Sequence, residues 1–151
     1  MAERDYSHVP LARKLGVKPG SLVVLDGAPE GAAAWLEPLP DGARITMTAP
    51  PDGPAGAGVH GGAGVVLCFA SEAAALQRTA AAAVPALTVD GGLWLCWPKR
   101  TSGHATDLDF DRVQRIGLGL GLVDNKSISV SPQWSGVRFV RRLRDRPPAR
   151  P

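Results

Sequence analysis

Three short stretches of this chain are apolar at nearly every position: Ser21–Asp26 (SLVVLD), Val65–Ala70 (VVLCFA) and Leu93–Trp97 (LWLCW). A strand with one solvated face alternates apolar and polar residues, whereas a strand covered on both faces reads as a continuous apolar run. None of the runs approaches the roughly 18 residues that a membrane span needs. They predict buried parallel strands, and parallel strands require crossover connections rather than tight turns.

The intervals supply those crossovers. Val9–Leu15 reads as one or two helical turns stopped at Gly16. Pro29–Leu39 reads as a short helix, with Pro29 near its start and Pro38 and Pro40 ending it. Ala43–Ala49 alternates and carries an isoleucine and two threonines, a second strand. Glu72–Leu87 is an alanine-rich helix with Leu76, Ala80, Ala83 and Leu87 along one side, Ser71 as its N-cap and Pro85 near its end. Asp90-Gly91-Gly92 reads as a turn into the third apolar run. Thr106 would cap a further helix, with Asp109 at its third position and Phe110, Val113, Ile116, Gly117 and Leu120 at helical spacing. Gly119 and Gly121 end it. Ile128 and Val130 then alternate with Ser127, Ser129 and Ser131, and Val137 and Phe139 alternate in turn. Two strands joined by residues 132–136 form an antiparallel hairpin. The expected architecture is α/β: a small Rossmann-like three-layer sandwich with a mostly parallel sheet and an antiparallel C-terminal hairpin at its edge. The element order from Gly64 to Arg142 resembles a shortened class I methyltransferase-like fold, a resemblance that carries no chemistry with it.

Composition bounds the rest. The chain has 151 residues, 44% hydrophobic and 21% charged, an ordinary balance for one modest core over residues 1–142. Glycine and proline crowd residues 50–64, which cannot bury enough surface to offset their ordering entropy and are expected to be a mobile loop. The formal net charge is +3, yet residues 138–151 carry six arginines against Asp145, leaving the remainder mildly acidic. Residues 143–151 read as a basic Arg/Pro-rich tail. Such a tail is either a solvated end or a weak, nonspecific contact for nucleic acid. Cys68 and Cys96 lie inside apolar runs with no CxxC pair and no zinc spacing, the pattern of free buried thiols in a reducing cytoplasm. No signal-peptide pattern opens the chain, so a cytoplasmic location and no membrane partner are expected.

Most motif matches lack the context that would give them meaning. Gly56-Ala-Gly58-Val-His-Gly61 is a literal GxGxxG, but it runs into a strand, whereas a dinucleotide fingerprint must open a helix. Gly117-Leu-Gly119-Leu-Gly121 ends a helix instead. His8, His60 and His104 are too dispersed for a metal site, no G-x-S-x-G elbow is present, and no cofactor is indicated. Asp107, Asp109 and Asp111 line the start of a helix, where the macrodipole favours acids. Trp134 is either a core lid or an exposed contact.

Two loops remain at the carboxyl ends of predicted strands, the edge at which such sheets bind ligands. Asp26-Gly-Ala-Pro-Glu30-Gly31 has glycines for close backbone approach, although Pro29 removes one of the amides that would cradle a phosphate. Trp97-Pro-Lys99-Arg100-Thr-Ser102-Gly103-His104 offers two cations, two hydroxyls and a glycine. That chemistry suits an anion, and the Walker spacing is absent, so nucleotide hydrolysis is not indicated. The plainer reading of either loop is an ordinary connection.

The stretches Tyr6–Gly16, Leu93–Gly103 and Gly121–Lys126, with Trp134-Ser-Gly136, together resemble the bacterial family catalogued as domain of unknown function three-zero-five-two. The resemblance spans nearly the whole chain and implies a Rossmann-like fold, with Lys99, Ser102, Gly103 and Trp134 at motif positions. It implies no activity. The stretch at 50–64 and the serines at 127, 129 and 131 depart from the family pattern. The leading expectation is a small protein that binds an anionic small molecule or partner group without clear catalysis. Lys99 and Arg100 would supply charge, Ser102 a hydrogen bond and Gly103 a backbone amide, across a cleft from Asp26 and Glu30. The alternatives are a pared-down methyltransferase-like enzyme using the Asp26–Gly31 loop and an interaction module using the tail. Pro147 and Pro148 cannot continue a central strand, so deletion of residues 143–151 should shift the melting temperature only slightly. A large drop in thermal denaturation would mean that the tail docks on the body.

Overall fold

The computed structural model describes residues 10–47 and 62–142. Most of the 50–64 stretch, the YSH segment, His8, His60, the GxGxxG match and the 143–151 tail lie outside the described residues.

Six strands form one sheet. They are β1 (Leu22–Asp26), β2 (Arg44–Thr46), β3 (Ala63–Phe69), β4 (Leu87–Pro98), β5 (Leu122–Ser131) and β6 (Trp134–Arg141), in the spatial order β2-β1-β3-β4-β6-β5. The first four are mutually parallel, with Val24 beside Val66 and Val66 beside Leu93. The expected pairing of residues 65–70 with 93–97 is therefore present. β6 runs antiparallel to both β4 and β5. The hairpin does add the antiparallel section, but its second strand is the one inserted against the parallel sheet, and β5 is left at the edge.

Alternation along each strand divides the core into two. Val24, Val66, Cys68, Leu93, Leu95, Val137 and Phe139 face α2 (Ala73–Ala83) and α3 (Phe110–Gly119), which contribute Leu76, Ala80, Ala83 and Val113. Val23, Leu25, Val65, Leu67, Phe69, Trp94 and Cys96 face α1 (Leu11–Leu15) and a 3-10 turn at Ala32–Leu36. Each fully buried Val or Leu contributes about 1.5–3 kcal/mol of transfer free energy, so neither layer can be omitted. Trp94 fastens the smaller layer: its indole N–H donates to the Leu15 carbonyl at 3.1 Å, which satisfies the one polar atom of a fully buried ring. No helix among the described residues is long and apolar enough to cross a membrane.

Cys68 and Cys96 belong to opposite faces of the sheet and are both free. Burial pushes both thiols well up from their ordinary range, so neither is a ready nucleophile.

Several elements differ from the sequence expectation, each for a local reason. The helix expected over Pro29–Leu39 is only the five-residue 3-10 turn, because prolines crowd both ends. Asp90-Gly91-Gly92 is not a turn. It lies inside β4, where the pairing jumps from Ala63↔Leu87 to Val65↔Gly92, and a Cβ on Gly91 would press on the Thr88 hydroxyl and the Ala63 carbonyl. Ser71 does not cap α2, since the first-turn amide of Ala73 is taken by the Asp107 carboxylate at 2.8 Å. Thr106 does not cap α3 either: Asp109 does, accepting from the Arg112 amide at 2.8 Å. Among the described residues, arginines of the C-terminal basic stretch are part of the fold. Arg138 and Arg141 lie in β6, and Arg141 donates to the carbonyls of Thr88 at 2.6 Å and Val84 at 3.0 Å.

Gly117 fixes how closely α3 lies on the sheet. A Cβ there would fall inside the ring of Phe139, which is fully buried and cannot swing away. Alanine would gain about 1 kcal/mol in helix propensity, but overpacking a rigid core costs about 1–3 kcal/mol. The packing term should win, so Gly117→Ala is expected to lower stability in urea denaturation. A stabilised variant would show that α3 can lift away at little cost.

Candidate functional site

Among the described residues, three parallel strands lead into loops at the carboxyl edge of the sheet: β1 at Asp26, β3 at Phe69 and β4 at Pro98. Their spacing decides which candidates can act together. β3 lies between β1 and β4, so the Asp26–Gly31 and Lys99–Gly103 loops are two strand spacings apart, about 10 Å. The expectation that they border one cleft is corrected. It assumed that the first strand and the strand carrying Lys99 are neighbours, and β3 takes that place.

Lys99 is held from two directions. Its backbone N–H donates to the Gln133 carbonyl at 2.9 Å, and its Nζ donates to Ser129 Oγ at 2.5 Å. The Ser129 hydroxyl in turn donates to the Ser131 carbonyl at 3.0 Å. The alternating serines of the hairpin thus orient a cation, a role that strand periodicity alone does not announce. A lysine ammonium has three donors, and Ser129 uses one. Arg100 is exposed and begins a 3-10 turn, Arg100–Ser102. Ser102 and Gly103 serve that turn: the Ser102 hydroxyl accepts from the His104 amide at 3.1 Å, and Gly103 has φ +83°, a conformation that favours glycine.

Lys99 and Arg100 line an open cleft of about 400 Å³ on the α2/α3 side of the sheet. Trp97, Pro98, Leu108 and Ser135 also line it, and Asp109, Phe110 and Asp111 at the start of α3 complete it. Asp26, Glu30, Ser102 and Gly103 do not. The segment leading to Asp109 and Asp111 is tied to the residues before α2. The Thr106 hydroxyl donates to the Ser71 carbonyl at 2.6 Å and accepts from the Leu108 amide at 3.0 Å. Asp107 also faces Arg112 at 3.7 Å, a half-exposed pair that adds little by itself.

The Asp26 loop has a different character. A Cβ on Gly27 would sit 2.7 Å from the Phe69 carbonyl, so this turn closes only on glycine. Beside it Trp35, Phe69 and Trp134 form an edge-to-face row, with ring centroids 6.3 Å and 5.1 Å apart. Trp134 is thereby a half-buried lid on the α1-side core rather than a free contact. Glu30 is exposed. Among the described residues no group of three His, Cys, Asp or Glu side chains is placed to hold a metal ion.

No protein-family model matches this chain, and no curated protein does. Solved structures resemble it in fold. A SAM dependent methyltransferase from Aquifex aeolicus superposes with a TM-score of 0.58 at 12% identity, over 89% of this chain and 93% of that one. A putative type 11 methyltransferase from Sulfolobus solfataricus gives 0.55 at 11% identity over 95% of each chain. A possible exported protein from Bordetella parapertussis gives 0.60 at 12% identity, over 90% of this chain and 66% of that one. The chain therefore has a methyltransferase-like Rossmann fold. Identities this low show the fold alone.

Burial pushes the Asp26 carboxyl up from its ordinary range. The folded state then binds this proton more tightly than the unfolded chain does. Stability is lost as pH rises from the ordinary carboxylate range through the raised pKa. Asp26→Asn removes that titration, so urea denaturation across a pH series should show the variant's stability, relative to the parent, growing as pH rises. A pH-independent difference would mean that the carboxyl is as well solvated as in the unfolded chain.

Proposed function

We propose that this protein is a binding protein on a methyltransferase-like scaffold, taking the anionic group of a small molecule or partner at Lys99 and Arg100. The observation that carries this reading is Lys99, which lines the cleft and whose ammonium donates to Ser129 Oγ with two donors left over. A pre-positioned cation at the carboxyl edge of a parallel sheet loses little side-chain entropy on meeting a phosphate or carboxylate. The proposal keeps the resemblance to the family of unknown function and a cytoplasmic setting as its context, and it assigns no reaction.

The second reading is adenosyl-methionine chemistry at the Asp26–Gly31 loop, favoured by the methyltransferases among the fold neighbours and by the close approach at Gly27. Against it, Pro29 lacks an amide and the following segment is a five-residue 3-10 turn, which offers no helix dipole of useful length to a ligand carboxylate. The basic tail, as a weak nucleic-acid contact, is a third source of anion affinity and is separated from the cleft by deletion.

A thermal-shift screen with phosphates, nucleotides and adenosyl-methionine, followed by calorimetry on the parent and on Lys99→Ala, tests the proposal. The substitution should cost on the order of 1–3 kcal/mol of affinity for the anion found, with little change in melting temperature. Equal affinity in the two proteins would return Lys99 to a structural role. A response to adenosyl-methionine that is insensitive to Lys99→Ala would favour the Asp26 loop.

A further inference from the structure

The cleft that holds the two cations also holds two carboxylates. Asp109 and Asp111 open α3 on the wall facing Lys99 and Arg100, and none of the four comes within 4 Å of an oppositely charged partner in the others. Arg112, the nearest other cation in sequence, is drawn to Asp107 instead. Helix-start acids need no ligand to explain them, and Asp109 has a capping duty. An asparagine or serine would cap equally well, however, and would not bring a negative charge into a cleft that binds anions. Four formal charges of zero sum give a bare phosphate no net field to follow, since the attraction of one wall is offset by the repulsion of the other. On the acidic wall, between these two carboxylates in sequence, Phe110 also lines the cleft and is 42% exposed, and an aromatic ring face attracts cations.

We infer that the ligand of this cleft is a zwitterion, a small molecule whose phosphate or carboxylate meets Lys99 and Arg100 while its ammonium group meets Asp109, Asp111 and the face of Phe110. The inference rests on the anion-binding reading above and narrows it to one ligand class. The ammonium turns the acidic wall from an obstacle into a second contact, and the ligand bridges charges that the fold keeps apart.

The experiment is calorimetric titration of the full chain with phosphoethanolamine, β-alanine, inorganic phosphate and ethanolamine, repeated on Asp111→Asn and on the double variant Asp109→Asn, Asp111→Asn. Asparagine retains the cap, and melting curves check that both variants stay folded. Phosphoethanolamine or β-alanine should bind the parent about tenfold or more tighter than inorganic phosphate, and which of the two binds better reports the anionic group. The double variant should bring that ratio close to one and tighten inorganic phosphate. If inorganic phosphate binds as well as either zwitterion, or the preference survives both substitutions, the inference is overturned and the anion-binding proposal stands. If none of the four binds, both fall.

Discussion

The described structure is arranged around the fact that β3 and residues 91–98 of β4 are covered on both faces. Val65, Leu67 and Phe69 point to one side of the sheet while Val66 and Cys68 point to the other, and Leu93 to Trp97 repeat the division next door. A chain of this size can cover two faces only by sending its connections to both sides, so crossovers rather than hairpins join the first four strands. The two layers are unequal. Among the described residues, α2 and α3 are true helices, while the opposite face carries one short helix, a 3-10 turn and Trp134. On that face the Trp94 indole ties α1 to the sheet through the Leu15 carbonyl.

The same constraint explains what was legible in the sequence. Continuous apolar runs mark strands covered on both faces, so the parallel centre of the sheet, its helices on the α2/α3 side and the terminal hairpin were readable from periodicity. The details that were not readable depend on partners distant in sequence. Asp107, 34 residues from Ala73, takes the place that Ser71 was expected to fill at the start of α2. Asp90-Gly91-Gly92 has the composition of a turn, yet β3 on one side and the Arg141 guanidinium on the carbonyls of Thr88 and Val84 hold that segment in a bulged strand. Local propensity describes what a segment does alone, and tertiary hydrogen bonds overrode it in both places.

The candidate site was half legible for a related reason. Sequence places Lys99 and Arg100 at the carboxyl end of a buried strand, and the fold brings both into the cleft. It says nothing about lateral order in the sheet, so the partner wall was assigned to Asp26 and Glu30 when β3 stands between them. The real wall, Asp109 to Asp111, has no distinctive sequence signal, because acids at a helix start have a sufficient local explanation in the macrodipole. Ser129 was hidden more deeply, because an exposed serine on an alternating edge strand has no distinguishing mark until a lysine ammonium is found on it.

Likeness of fold to methyltransferases then has to be weighed against the edge it would use. In a doubly wound sheet the ligand sits where strand order leaves a crevice and where a helix N-terminus can meet its charge. Here the segment after β1 is a 3-10 turn, and the aromatic row of Trp35, Phe69 and Trp134 occupies the nearby ends of the strands. β4 to β6 is the place where the direction of the sheet reverses, and it retains a helix of ten residues opposite a strand end, an oriented lysine and open volume between them. Among the described residues, the oriented lysine, the helix start and the open volume thus lie at β4 and β6 and not at the end of β1. A scaffold shared with methyltransferases can in this way present its charge-bearing cleft at β4 and β6, on the side of the sheet that α2 and α3 cover.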